Sequence, residues 1–180
     1  MPSLTIEELK DYSDINTEVF VETGTCHGDT VNNVLNYFDH LYSIELSPQL
    51  SDYSKNRFKH NSKVSIIQGD STLVLHSICN TVEKPTFFWL DGHWSGGDTA
   101  RGPVDCPLLD EVSIINKHFK TACIVTIDDV RLFGTHINED WSEITREHVL
   151  NIVKDRLVSC KYFPSELYVE DRMVLHLKAL

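Results

Sequence analysis

This 180-residue chain carries a formal net charge of −11, and nowhere along it do lysines and arginines cluster. A protein that grips a phosphate backbone neutralises it with a basic face, so nucleic acid is excluded as the expected partner. A small neutral or cationic molecule remains compatible with an acidic protein. No apolar run reaches the length of a membrane-spanning helix, so no membrane partner is expected. The opening residues, MPSLTIEELKDYSD, lack a basic end followed by an apolar stretch, and no secretory leader is expected. Five cysteines (Cys26, Cys79, Cys106, Cys123 and Cys160) are widely spaced with no CxxC pair. That spacing suggests neither a disulfide framework nor a cysteine zinc site, and it reads as reduced thiols in a cytoplasmic protein. Repeats, low-complexity tracts and linkers are also missing, and the length suits one domain over 1–180.

What is present is alternation. Short β-rich runs at 19–22, 41–46, 64–69, 86–91 and 122–129 are separated by helical patterns. Val31, Val34, Leu35 and Phe38 recur at the spacing of one helix face. Pro48 opens a polar helix to about His60, Asp70 and Ser71 cap the next, and Leu108, Leu109, Val112 and Ile115 mark another. A helix is predicted around Trp141 to Arg156, with the acidic stretch INED as its cap. LVSCKYF and RMVLHLKAL follow as two strands joined by a short turn, and so antiparallel. Such alternation calls for an α/β fold, a parallel sheet between two helix layers, with ligands at the carboxyl edge of the strands. Glu22, Glu45, Asp70, Asp91 and the pair Asp128–Asp129 stand at successive strand ends along that edge.

The first strand runs into VFVETGTCHGDT. Glycines at a strand-to-helix turn let a backbone approach a ligand closely. A dinucleotide turn needs GxGxxG, but Cys26 and Asp29 stand where its other two glycines belong, and Asp29 places a negative charge against a pyrophosphate. Acid-x-Gly-x-Gly-x-Gly fits better, with Glu22, Gly24 and Gly28 in place and Cys26 departing from the middle glycine. This resembles the first motif of class I S-adenosylmethionine-dependent methyltransferases. The resemblance implies a three-layer sandwich of strand order 3-2-1-4-5-7-6 with the seventh strand antiparallel. It implies that Glu45 grips the ribose hydroxyls and that Asp70 meets the adenine edge. Glu22 and Gly24, with Thr25 and Gly28, would lie near the methionine end; Ser71 and Asp91 would complete the cofactor site. The bland alternative is that Glu22 only complements a helix N-terminus and the glycines only turn the chain.

Asp91, Asp128 and Asp129 end neighbouring strands, and three converging carboxylates repel one another unless a cation sits between them. Oxygen ligands of this kind suit Mg²⁺, Mn²⁺ or Ca²⁺. Here the chain is similar to the small metal-dependent O-methyltransferases of the catechol and macrocin types. That similarity implies a metal at Asp91, Asp128 and Asp129 that activates a substrate hydroxyl. The other reading makes the acids caps of turns. His93, two residues past Asp91, is a candidate general base for a hydroxyl proton, or a loop histidine bonded to a carbonyl. The 92–104 loop has the glycines of a mobile lid, in which Trp94 and Arg101 either meet substrate or anchor the loop. His27 reads either as a contact for the cofactor carboxylate or as exposed filler, while Trp89 and Trp141 read as core.

The resulting expectation is an S-adenosylmethionine-dependent methyltransferase acting on an oxygen of a small molecule such as a sugar or phenol. Asp91 and His93 would be catalytic, and a second subunit could complete the open site as a homodimer. A nucleotide- or NAD-dependent enzyme, or a cofactor-binding protein without turnover, are the alternatives.

Overall fold

The computed structural model describes residues 3–13 and 15–180. Seven strands form one sheet in the order β3-β2-β1-β4-β5-β7-β6. They are β1 (Val19–Thr23), β2 (His40–Glu45), β3 (Val64–Gln68), β4 (Thr86–Leu90), β5 (Cys123–Ile127), β6 (Leu157–Phe163) and β7 (Arg172–Leu177). The first five run parallel, and β7 is antiparallel to both β5 and β6. The order implied by the resemblance is therefore the order found.

Side chains alternate across the sheet, and both faces are covered. From β4, Phe88 and Leu90 enter one core while Phe87 and Trp89 enter the other. Helices α1 (Ile6–Tyr12), α2 (Asp29–Val34) and α3 (Pro48–Phe58) pack with the second core. Helices α4 (Ser71–Thr81), α5 (Leu108–His118) and α6 (Arg146–Val153) pack with the first. This dual burial explains why the central strands read as unbroken apolar runs.

Two helices are shorter than the apolar spacing predicts. α2 ends at Val34, and Phe38 is buried beyond it rather than on it. α6 begins at Arg146, capped by the Thr145 hydroxyl, so INED does not cap it. Instead Asp140 accepts from the amide and hydroxyl of Ser142 in a local turn, and the Trp141 indole donates to Glu139. Short side-chain bonds of this kind compete with helix start.

Ladder bonds run one residue past the strands. The Gly24 amide donates to the Ile44 carbonyl, Asp91 to Thr23, Asp128 to Leu90 and Gly69 to Glu45. The parallel register thus carries Gly24, Asp91 and Asp128 side by side beyond the carboxyl edge.

Candidate active site

At that edge lies a cavity of about 180 Å³. It is lined by Gly24, Cys26, Glu45, Asp70, Ser71 and Asp91, and on the loop side by Trp94, Thr99, Ala100 and residues 102–105. Gly24 is required for two reasons. Its φ is +86°, and a Cβ there would lie 2.4 Å from the Asp91 carbonyl oxygen. Gly28, at φ +80°, would press a Cβ to 2.6 Å from the Phe58 ring. Cys26 adopts a left-handed φ of 48°, and its amide donates to Glu45 at 2.8 Å.

Glu45 is fixed by two backbone donors, one on each oxygen: Cys26 on Oε2 and Ser47 on Oε1, both at 2.8 Å. Asp70 caps α4 through Oδ1, which accepts from the amide and hydroxyl of Thr72. Both acids therefore line the cavity on rigid supports. Glu22, Thr25, Gly28 and His27 do not line it. The Glu22 carboxylate is buried under the turn, where the hydroxyls of Ser43 and Thr30 donate to it. Burial pushes its pKa up to about 8. Thr25 shares a 2.6 Å hydrogen bond with the same Ser43, and His27 packs edge-on against Tyr53.

Glu111 enters from α5 and is 1% exposed. The Thr23 hydroxyl donates to it at 3.4 Å and Ser71 also bonds it, so it ties α5 to the end of β1 and the start of α4. Burial raises its pKa to about 7.

A second cluster sits beside the cavity. The side chain of His93 is buried with Nδ1 3.5 Å from Asp91 Oδ1 and Nε2 3.4 Å from Asp129 Oδ2. Glu139 lies 3.6 Å from the same Nε2, and the imidazole meets Trp141 edge-on at 5.0 Å. Asp91 Oδ1 and Asp129 Oδ2 are buried without a hydrogen-bond partner among the described residues. Burial, then the charges of Asp128 and Asp129, hold the Asp91 carboxyl well above the usual range. Burial lowers the His93 pKa, against the pull of Asp129 and Glu139.

Of the three expected metal carboxylates, Asp128 lines a small neighbouring cavity with Asp91 and His93 but is also bonded by an arginine. Asp128 turns to Arg172 Nε at 3.3 Å, while Asp91, His93 and Asp129 offer atoms within 4.8 Å of one another. Arg101 is not free for a substrate anion. It grips Asp105 through two bonds of 2.6 and 3.1 Å and lies 4.6 Å over the Trp94 ring. Glu111, Ser43, Asp105, Glu139 and Arg172 have parts in this region that the sequence reading did not assign. For Glu111 a sign existed, since with Leu108, Val112 and Ile115 it falls at i+3 on the apolar stripe of α5.

No protein-family model matches the chain, and no curated protein matches it. Solved structures do. The N-methyltransferase NodS from Bradyrhizobium japonicum WM9 superposes with a TM-score of 0.59 at 14% identity, covering 91% of this chain and 86% of its own. An S-adenosylmethionine-dependent methyltransferase from Clostridium acetobutylicum ATCC 824 gives 0.57 at 11% identity, covering 97% and 88%. SMU.1697c from Streptococcus mutans, solved in complex with SAH, gives 0.58 at 13% identity over 100% of both chains. With the strand order above, these likenesses define the fold as that of the class I methyltransferases. None of the described helices is long and apolar enough to cross a membrane.

Proposed function

We propose that this protein transfers the methyl group of S-adenosylmethionine to an oxygen of a small molecule, a sugar or a phenol. One observation carries the reading: a single cavity brings Glu45 and Asp70, rigidly held, to the same lining as Asp91 and His93. When bound, S-adenosylmethionine supplies an electrophilic methyl on its sulfonium. Glu45 keeps lone pairs for a pair of ribose hydroxyls, and Asp70 Oδ2 takes no part in the helix cap. Glu22 serves from beneath, holding the turn through Ser43 rather than meeting the cofactor directly.

His93, kept neutral by burial, offers a nitrogen that can take the acceptor's hydroxyl proton. Asp91 and Asp129 flank the imidazole and stabilise the cation that this creates. Alternatively, the two unpartnered carboxylate oxygens fit a divalent ion, which Asp91, His93 and Asp129 would hold; it would then lower the acceptor's hydroxyl pKa in place of proton transfer to His93, whose lone pair it would occupy. The net charge of −11 supports a small acceptor over a nucleic acid. Five free thiols support a reducing, cytoplasmic setting.

Calorimetric titration with S-adenosylhomocysteine, with NAD run in parallel, tests the reading. We expect micromolar binding of the first and none of the second. Tighter binding of NAD, or silence with both, would end it.

A further inference from the structure

The acids beyond β5 are sorted by what holds them. Asp128 Oδ1 accepts from Arg172 Nε at 3.3 Å and from the Asp129 amide at 3.0 Å. Arg172 is 1% exposed; it also bonds Glu8 and, at 3.1 Å, the Tyr12 hydroxyl of α1, and lies 5.1 Å over the Trp89 ring. Asp129 turns the opposite way at a left-handed φ of 62°. Its Oδ1 meets Arg131, and its buried Oδ2 faces His93 with no hydrogen-bond partner among the described residues. The neighbouring group of Asp128, Asp129 and Asp171 is closed by cations of the chain itself, because Arg131 also bonds Asp171 at 2.6 Å.

We propose that Arg172 fixes the donor set of this site: by holding Asp128 it leaves Asp91, His93 and Asp129 to meet a divalent ion. That mixed nitrogen and oxygen set takes a first-row transition ion in preference to Mg²⁺, and even Mn²⁺, the hardest of them, accepts an imidazole more readily than Mg²⁺ does. The proposal deepens the reading above and rests on a cation binding there. Three carboxylates would be a hard, all-oxygen set suited to Mg²⁺ or Ca²⁺; an imidazole in place of one of them shifts the preference toward transition ions. Arg172 is thus a positioning residue, acting through Asp128.

The test is calorimetric titration of the full chain with Mn²⁺ and separately with Mg²⁺, with S-adenosylhomocysteine affinity measured alongside. Wild type is expected to bind Mn²⁺ at least about tenfold more tightly. His93→Asn and Asp129→Asn are expected to weaken Mn²⁺ by about tenfold or more, and His93→Asn to bring the two ions level. In Asp128→Asn the amide oxygen still accepts from Arg172 and the Asp129 amide, so Mn²⁺ affinity is expected to stay within about threefold. Arg172→Met frees Asp128 and is expected to narrow the Mn²⁺ to Mg²⁺ ratio; if it does not fold, Asp128→Asn carries the test. Nitrogen modulation in the electron spin echo of bound Mn²⁺, lost in His93→Asn, reports the imidazole directly. The proposal is overturned if Asp128→Asn costs as much as His93→Asn, if His93→Asn changes nothing, or if wild type shows no preference. Wild type that binds neither ion but does bind S-adenosylhomocysteine overturns the donor set and leaves the methyltransferase reading standing.

Discussion

Glu22 lies 1% exposed beneath the glycine turn, and its pKa of about 8 has a direct thermodynamic consequence. The folded value lies above the unfolded one near 4.5, so the stabilising contribution is full below pH 4.5 and is lost as pH rises through 8. Glu111 slopes the same way, up to about 7. Glu22→Gln should remove its share of this dependence. We expect the variant to melt about 3 °C or more above wild type at pH 9 and to lose that advantage near pH 5, by calorimetry across the range. At the neighbouring position, Gly24→Ala should abolish binding of S-adenosylhomocysteine, because the new Cβ meets the Asp91 carbonyl and no side chain can yield. Retained binding would show that the turn shifts. The acids at the strand ends were legible in the sequence because register alone puts them there. Where each carboxylate points was not. Glu22 goes to Ser43 and Asp128 to Arg172, partners 21 and 44 residues away in the chain.

Among the elements, the loop that lines the cavity is held by one side chain. Asp105 accepts both bonds from Arg101 and one from the Asp140 amide, while its own carbonyl accepts from Trp94. The Arg101 guanidinium, first, holds its carboxyl below the usual range. Asp105→Ala should therefore release Arg101 and the Asp140 amide, while the Trp94 bond to the backbone carbonyl stays. Limited proteolysis is expected to cut within 95–104 faster than in wild type, and S-adenosylhomocysteine affinity is expected to fall about tenfold, since an ordered loop must now be formed on binding. Unchanged cleavage would show that Asp105 does not latch the loop. The glycines of this segment suggested a mobile lid, but pattern could not show that Arg101 and Trp94 are spent on each other. The five parallel strands are legible to within two residues because their apolar runs end at the acids, whereas the run RMVLHLKAL overshoots β7, which ends at Leu177. The helices around Phe38 and Trp141 were overextended, because buried residues in turns mimic a helical stripe.

For the molecule as a whole, the site is assembled from turns that follow separate strands, so ligand occupancy should stabilise the entire sheet. With S-adenosylhomocysteine at about 100 times its dissociation constant, the gain is about 2.7 kcal/mol. That corresponds to a rise in melting temperature of roughly 5–10 °C for a chain of this size. No shift at saturating ligand would contradict the assignment of the cavity. The strand order itself was legible only through the glycine turn and the spaced acids. Alternation alone fixes the layers but leaves several orders for a parallel sheet.

Arg156 is 3% exposed and spends its guanidinium on carbonyls from three places: Ile115 and Asn116 in the last turn of α5, Thr121 before β5, and Lys178 after β7. The last turn of α5 is thereby closed by a group that arrives more than 35 residues later in the chain. Helix and terminal hairpin should therefore open together rather than one after the other. In native-state hydrogen exchange the amides at the end of α5 and those of β7 are expected to share one opening energy, and Arg156→Ala should split them into two classes.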